Sequence, residues 1–201
     1  MNFFQNTCKP EGVGGRLMVA SMNRGHAAMA HWGMSHLKVE KHHSVLDVGC
    51  GGGANVKVLL ELADQVTGVD YSQVSVEKST KVNRKAIDAG RCKIMQANAM
   101  ELPFPEGVFD LVTAFETVYF WPDLLICFQN IHRVLKPGGQ FLICNEADGE
   151  HDKDNKWTEI IEGMTIYTAG QLEEILRQAG FSRVEAQKNG SGWLTVLAVK
   201  E

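Results

Sequence analysis

The chain has 201 residues, 44% hydrophobic and 22% charged, with a formal net charge of −4. Those proportions suit one soluble globular domain able to cover a central sheet on both faces, and the acidic balance argues against a general nucleic-acid binder, which carries a basic stripe. No apolar run reaches the roughly 18 residues of a membrane span, and five cysteines without paired spacing do not form a disulfide framework.

The first residues, Met1-Asn2-Phe3-Phe4, lack the charged and apolar regions of a secretory leader, so a cytoplasmic location is expected. Residues 1–15 carry Pro10 and the glycines Gly12, Gly14 and Gly15, which read as an irregular arm. From Arg16 to Leu37, Met18, Met22, Gly25, Met29, Trp32 and His36 recur at alternating steps of four and three, the spacing of one helical face. Residues 1–40 are therefore expected to be an arm and helix, serving as lid or docking segment for a domain over residues 41–201.

Further along, the chain alternates. Strands are expected near 45–49, 66–70, 92–97, 109–114 and 139–144, and helices near 54–64, 73–89 and 121–135, with Ser72 as a cap. Pro137-Gly138-Gly139 is expected to end the last of these helices and turn the chain into a strand. Then comes a helix over 171–179 and two strands, 183–188 and 193–199, joined only by Asn189-Gly190-Ser191-Gly192. A connection that short forces an antiparallel pair. The expected fold is α/β: a doubly wound, mostly parallel sheet with an antiparallel last strand and helices on both faces. Cys50, Cys92, Cys127 and Cys144 fall in these elements and read as small buried hydrophobes. There is no CxxC, no HExxH and no His/Cys spacing that suits a metal, so no metal is expected.

The most informative stretch is Val45-Leu46-Asp47-Val48-Gly49-Cys50-Gly51-Gly52-Gly53, followed by Val66-Thr67-Gly68-Val69-Asp70. An apolar strand enters a glycine turn, a helix follows, and a second strand ends in a carboxylate, which is the first half of a Rossmann-type nucleotide site. Gly49, Gly51 and Gly53 let the backbone turn tightly and approach a ligand, and Asp70 is placed to accept from ribose hydroxyls. The same turn fits the dinucleotide pattern G-x-G-x-x-G/A, so a nicotinamide-dependent oxidoreductase is an alternative. Asp47 before the glycines and the closing hairpin point away from it.

The chain resembles the class I S-adenosylmethionine-dependent methyltransferases of the small-molecule type. Four segments carry the resemblance: residues 45–53, residues 66–70, Phe109-Asp110-Leu111-Val112-Thr113-Ala114, and Arg133-Val134-Leu135-Lys136-Pro137-Gly138-Gly139-Gln140-Phe141-Leu142-Ile143. Ala97-Asn98-Ala99-Met100-Glu101-Leu102-Pro103-Phe104 resembles the adenine-contacting stretch. The resemblance implies a seven-stranded sheet with an antiparallel last strand, and S-adenosylmethionine as cofactor. It also implies roles: Asp47 holding the methionyl moiety and the loop, Asp70 the ribose, Tyr71 packing on the adenine, and Asn98 and Ala99 meeting the adenine edge. The carbonyl of Ala114 or its neighbour would receive the methionyl ammonium. Asn98 stands where the family often has Asp, and an amide oxygen also accepts.

Methyl transfer from a sulfonium needs an aligned acceptor and little water more than covalent help. Phe115, Glu116, Tyr119, Phe120 and Trp121, after the fourth strand, are expected to line the acceptor region. Glu116 and Tyr119 are the first candidates for base or positioning group, with His26, His31 and His36 behind them. The charged run Asp148–Lys156 reads as a solvated loop, and the stretch from Cys144 to Gln171 leaves no room for a large substrate-binding insertion. A small-molecule acceptor is therefore expected, without nucleic acid or membrane as partner. A non-catalytic domain that binds the cofactor as a sensor or partner subunit is a further alternative.

Overall fold

A computed structural model describes residues 7–8, 10, 12, 14, 26–151 and 154–201. Seven strands form one sheet in the order β3-β2-β1-β4-β5-β7-β6: β1 (Ser44–Val48), β2 (Gln65–Asp70), β3 (Cys92–Gln96), β4 (Phe109–Phe115), β5 (Leu135–Asn145), β6 (Arg183–Lys188) and β7 (Leu194–Val199). The first five strands pair in parallel, and β7 runs antiparallel to both neighbours, β5 and β6. The expected architecture is the one observed. Its order also differs from the 3-2-1-4-5-6 sheet of dinucleotide dehydrogenases, because the last strand inserts between β5 and β6.

The helices are α1 (Ala27–Met34), α2 (Ala54–Leu62), α3 (Gln73–Val82), α4 (Arg84–Asp88), α5 (Leu124–Val134), α6 (Asn155–Ile160) and α7 (Ala169–Gln178). On one face of the sheet α5 and α7 bury Cys127, Phe128, Ile131, Leu172 and Leu176 against Leu46, Val112, Phe141 and Val196. On the other face α1 and α2 bury Met29, Val56 and Leu59 against Val45, Leu111, Leu142 and Cys144. Both faces are apolar, so β1, β4 and the second half of β5 (residues 141–145) are almost entirely buried, as a parallel sheet requires. Each fully buried Leu, Ile or Phe contributes ~1.5–3 kcal/mol of transfer free energy.

Four details depart from the sequence expectations, each for a local reason. The helix expected over 73–89 breaks at Asn83, whose amide donates to the carbonyls of Gly53 and Ser79 (both 3.0 Å). The helix expected from residue 121 begins at Leu124, because Asp123 caps it by accepting from the Ile126 N–H (3.0 Å). Pro137-Gly138-Gly139 is no boundary but a bulge inside β5: Leu135 pairs with Phe109 and Gln140 with Leu111. The run Asp148–Lys156 is solvated only in part: Gly149, Glu150, His151 and Lys156 are exposed, whereas Asp148 and Asp154 are buried and α6 starts within the run. Met18, Met22 and Gly25 lie outside the described residues, as do most residues of the expected arm.

Candidate active site

Parallel strands leave their carboxyl ends on one edge of the sheet, the usual ligand side of such folds. Here β1 delivers the glycine turn, and the N–H groups of Gly49 and Cys50 both donate to the Val69 carbonyl of β2 (2.8 and 2.9 Å). The three glycines singled out from the sequence have positive φ: 75° at Gly49, 51° at Gly51 and 78° at Gly53. Their surroundings differ. A Cβ on Gly49 would collide with Thr117, and one on Gly53 with Ser79 and Asn83, while one on Gly51 would meet no heavy atom within 4 Å. Gly51 faces open space because it lines the cavity.

That cavity has a volume of about 840 Å³, toward the upper end of small-molecule sites. One end is built on β2 and β3. Asp70 accepts from the Gly51 N–H and the Ser72 N–H (2.8 Å each), one on each carboxylate oxygen. Burial pushes its carboxyl above the ordinary value, and these two backbone hydrogen bonds oppose that. Tyr71, Asn98 and Ala99 complete this end. Asn98 Oδ1 accepts from the Met100 N–H (3.0 Å), which fixes its turn. Thr7, Cys8 and Pro10 reach the same cavity, with the Pro10 carbonyl accepting from the Ser72 hydroxyl (2.8 Å).

Glu116 and Tyr119 dominate the other end. Glu116 has φ 57°, the one positive value on a non-glycine among the described residues, a strain typical of functional turns. Its Oε1 accepts from the Glu146 N–H (2.5 Å) and from the Tyr119 hydroxyl (3.1 Å), and that hydroxyl accepts from the Ala147 N–H (3.1 Å). Burial, with the Glu146 and Asp154 charges, lifts the Glu116 carboxyl to about 8 against the pull of those hydrogen bonds. Tyr119 is pushed well above its ordinary range by burial and by Glu116. The Tyr119 hydroxyl thus holds the Glu116 carboxyl against the Ala147 N–H. His26 lies 4.0 Å from Glu146, and burial lowers it despite that carboxylate.

Of the residues expected at the site, the cavity wall includes Gly49, Gly51, Asp70, Tyr71, Asn98, Ala99, Glu116 and Tyr119. Three lie behind it. Gly53 packs on α3, and Ala114 is fully buried within β4, leaving its neighbour Phe115 on the wall. Asp47 is also fully buried, accepting from the Thr113 hydroxyl (2.8 Å), with its Oδ2 unpartnered. Desolvation raises the Asp47 carboxyl to about 7. Asp47 thus sits behind the cavity wall, beneath the glycine turn. His31 is exposed, while Phe120 and Trp121 line the cavity. The sequence reading missed Thr117, Glu146, Asp154, Trp157, Met164 and Trp193, which also line it.

The glycine turn, the ribose-ready carboxylate and the strand order together define a nucleoside-binding α/β fold of methyltransferase type. Residues 46–143 match the family model described as a methyltransferase domain. The chain is 33% identical over 161 residues to a cycloartenol-C-24-methyltransferase of Arabidopsis thaliana, covering 75% of this chain and 48% of that one. It is 32% identical over 146 residues to an O-methyltransferase of Aspergillus sclerotiorum, covering 70% and 55%. It thus spans about half the length of these curated relatives. Among solved structures, a chain from the complex of the Haloferax volcanii Trm112 methyltransferase activator superposes with a TM-score of 0.83 at 20% identity, over 99% of this chain and 98% of that one. A SAM-dependent methyltransferase from Aquifex aeolicus gives 0.77 at 18% identity, over 92% and 98%. The chain belongs to the class I S-adenosylmethionine-dependent methyltransferases. The cofactor of that family is S-adenosylmethionine.

Proposed function

We propose that this chain transfers a methyl group from S-adenosylmethionine to a small-molecule acceptor by direct displacement, both held in the one cavity. The observation that carries the reading is the continuity of that cavity from Asp70, Tyr71 and the open face of Gly51 to Glu116, Tyr119 and Trp157. The cradle fits the cofactor: Gly51 offers space that a Cβ would occupy, and Asp70 is locked by two N–H donors with acceptor capacity left for ribose hydroxyls. When bound, the cofactor supplies a methyl group already activated on a sulfonium. In this reading Asp70 fixes the ribose, Asn98 and Ala99 meet the adenine edge, and Phe115 offers its carbonyl to the methionyl ammonium in place of the buried Ala114. Glu116, held by Tyr119 and the Glu146 N–H, receives the proton that the acceptor sheds. Aromatic side chains at that end exclude water, and alignment supplies much of the rate.

By their names, the relatives above methylate cycloartenol at C-24 and an oxygen atom, and the first of these supports a small acceptor here. Calorimetric titration of S-adenosylmethionine, S-adenosylhomocysteine and NAD into wild type and Asp70→Ala tests the reading. Micromolar binding of the two adenosyl ligands, lost at least tenfold in the variant, is expected. Binding of NAD in their place would overturn it in favour of redox chemistry. Tight adenosyl binding with no turnover on a broad acceptor panel would favour a sensor or partner subunit.

A further inference from the structure

The end of the cavity beyond Glu116 has a charge pattern that the methyl donor does not need. Glu116, Glu146 and Asp154 all line it, and Lys156 is the one lysine or arginine on the cavity wall among the described residues. Asp154 is only 7% exposed, and its Oδ2 has no hydrogen-bond partner. His26 beside Glu146 offers no fixed counter-charge, because burial holds it below its ordinary value. A buried carboxylate without partner is costly, and three carboxyl groups facing one apolar space repel one another. Phe120, Trp157 and Trp193 complete that wall, and aromatic faces attract cations.

We infer that the acceptor is an organic amine, bound as its ammonium ion among Glu116, Glu146 and Asp154 and methylated on nitrogen. This rests on the methyltransferase reading above. An ammonium supplies a donor for the unpartnered Asp154 Oδ2, and its charge offsets the repulsion among the three carboxyl groups. A neutral alcohol or sterol offsets none of it, and a carboxylate or phosphate adds to it. In the reaction the ammonium gives a proton to the Glu116 carboxylate. The freed nitrogen lone pair then forms the new N–C bond as the C–S bond breaks, and that electron pair stays on sulfur. The product leaves as the methylated ammonium, and Glu116 returns its proton to water. Burial and its acidic neighbours raise the Glu116 carboxyl to about 8, and a cation bound beside it lowers that value toward the carboxylate form. The other titratable groups around Glu116 are Tyr119, Cys144, Glu146, Asp154 and His26.

The test uses protein saturated with S-adenosylhomocysteine and matched sets that differ only in head group: tryptamine, indole-3-ethanol and indole-3-acetate, with phenethylamine, 2-phenylethanol and phenylacetate. Calorimetry at pH 7, in buffers of different ionisation enthalpy, reads affinity and proton release together. At least one amine is expected to bind tenfold or more tighter than its alcohol and acid, releasing about one proton. Glu116→Gln should lose that release, and Asp154→Asn should lose most of the amine preference while keeping S-adenosylhomocysteine affinity. Equal binding of the alcohol or acid, or no amine binding by cofactor-loaded protein, would overturn the inference alone. Failure to bind S-adenosylhomocysteine would instead overturn the reading beneath it. Mg²⁺ or Mn²⁺ titrated alone, with heat that disappears in Glu116→Gln and blocks the amine, would give the same carboxylates to a metal and also overturn it.

Discussion

Asp47 is sealed beneath the glycine turn, hydrogen-bonded to Thr113 through one oxygen and unpartnered at the other. Its carboxyl is raised from 3.8 to about 7, mainly by desolvation. Between those values the folded chain holds a proton that the unfolded chain has released. The stability from that proton is complete below about pH 4 and is lost as pH rises toward 7. Asn at this position keeps an oxygen for Thr113 and carries no charge. In scanning calorimetry, Asp47→Asn should therefore gain on wild type as pH rises from 4 to 8, by ~2–4 °C for each kcal/mol of the difference. Parallel profiles would show that Asp47 does not titrate in this range. The glycines offer a second contrast. Gly53→Ala places a Cβ 2.5 Å from Asn83 Nδ2 at a positive φ and should cost ~2–4 kcal/mol in urea unfolding. Gly51→Ala meets nothing within 4 Å, so it should cost only ~1–2 kcal/mol of strain but weaken S-adenosylhomocysteine binding at least tenfold. Equal stability losses would contradict the different roles of the two positions.

At the scale of elements, α1 lies so close to β5 that a Cβ on Gly33 would overlap the Cys144 side chain. Helix propensity favours Gly33→Ala by ~1 kcal/mol, while overpacking costs ~1–3 kcal/mol or more. We expect a net loss of stability, together with faster proteolysis ahead of Ser44. A stabilised variant would mean that α1 is not docked as described. The periodic Met29 and Trp32 announced this docking face, because helical spacing of apolar residues survives in any one sequence. The central strands were equally legible as apolar runs bounded by turn residues, and the polar edge strand β6 was legible through the short connection to β7. What escaped notice depends on distant partners. Asn83 breaks a helix because Gly53 lies within reach of its side chain. Asp148 and Asp154 are buried although the run around them is charged. Trp193 reaches the cavity only because β7 inserts between β5 and β6. The glycine turn and Asp70 stood out because a short motif encodes them, whereas the wall around Glu116 is gathered from four separate segments and has no motif.

For the whole molecule, the sheet places two chemistries at the ends of one cavity. Hydrogen-bond acceptors suited to a nucleoside stand over β2, and carboxyl groups with aromatic neighbours stand over β4 and β5. No helix among the described residues is long and apolar enough to cross a membrane. Glu116 joins the two ends, and Glu116→Gln should lower turnover ~10²–10⁴-fold while leaving S-adenosylhomocysteine affinity within threefold. Full turnover in that variant would remove Glu116 as proton acceptor. A crystal structure with S-adenosylhomocysteine bound decides whether one cavity serves donor and acceptor. Ribose hydroxyls are expected on the Asp70 carboxylate, adenine beside Tyr71 and Ala99, and sulfur facing Glu116. A nucleoside bound elsewhere, or a sulfur turned away from Glu116, would contradict a shared cavity.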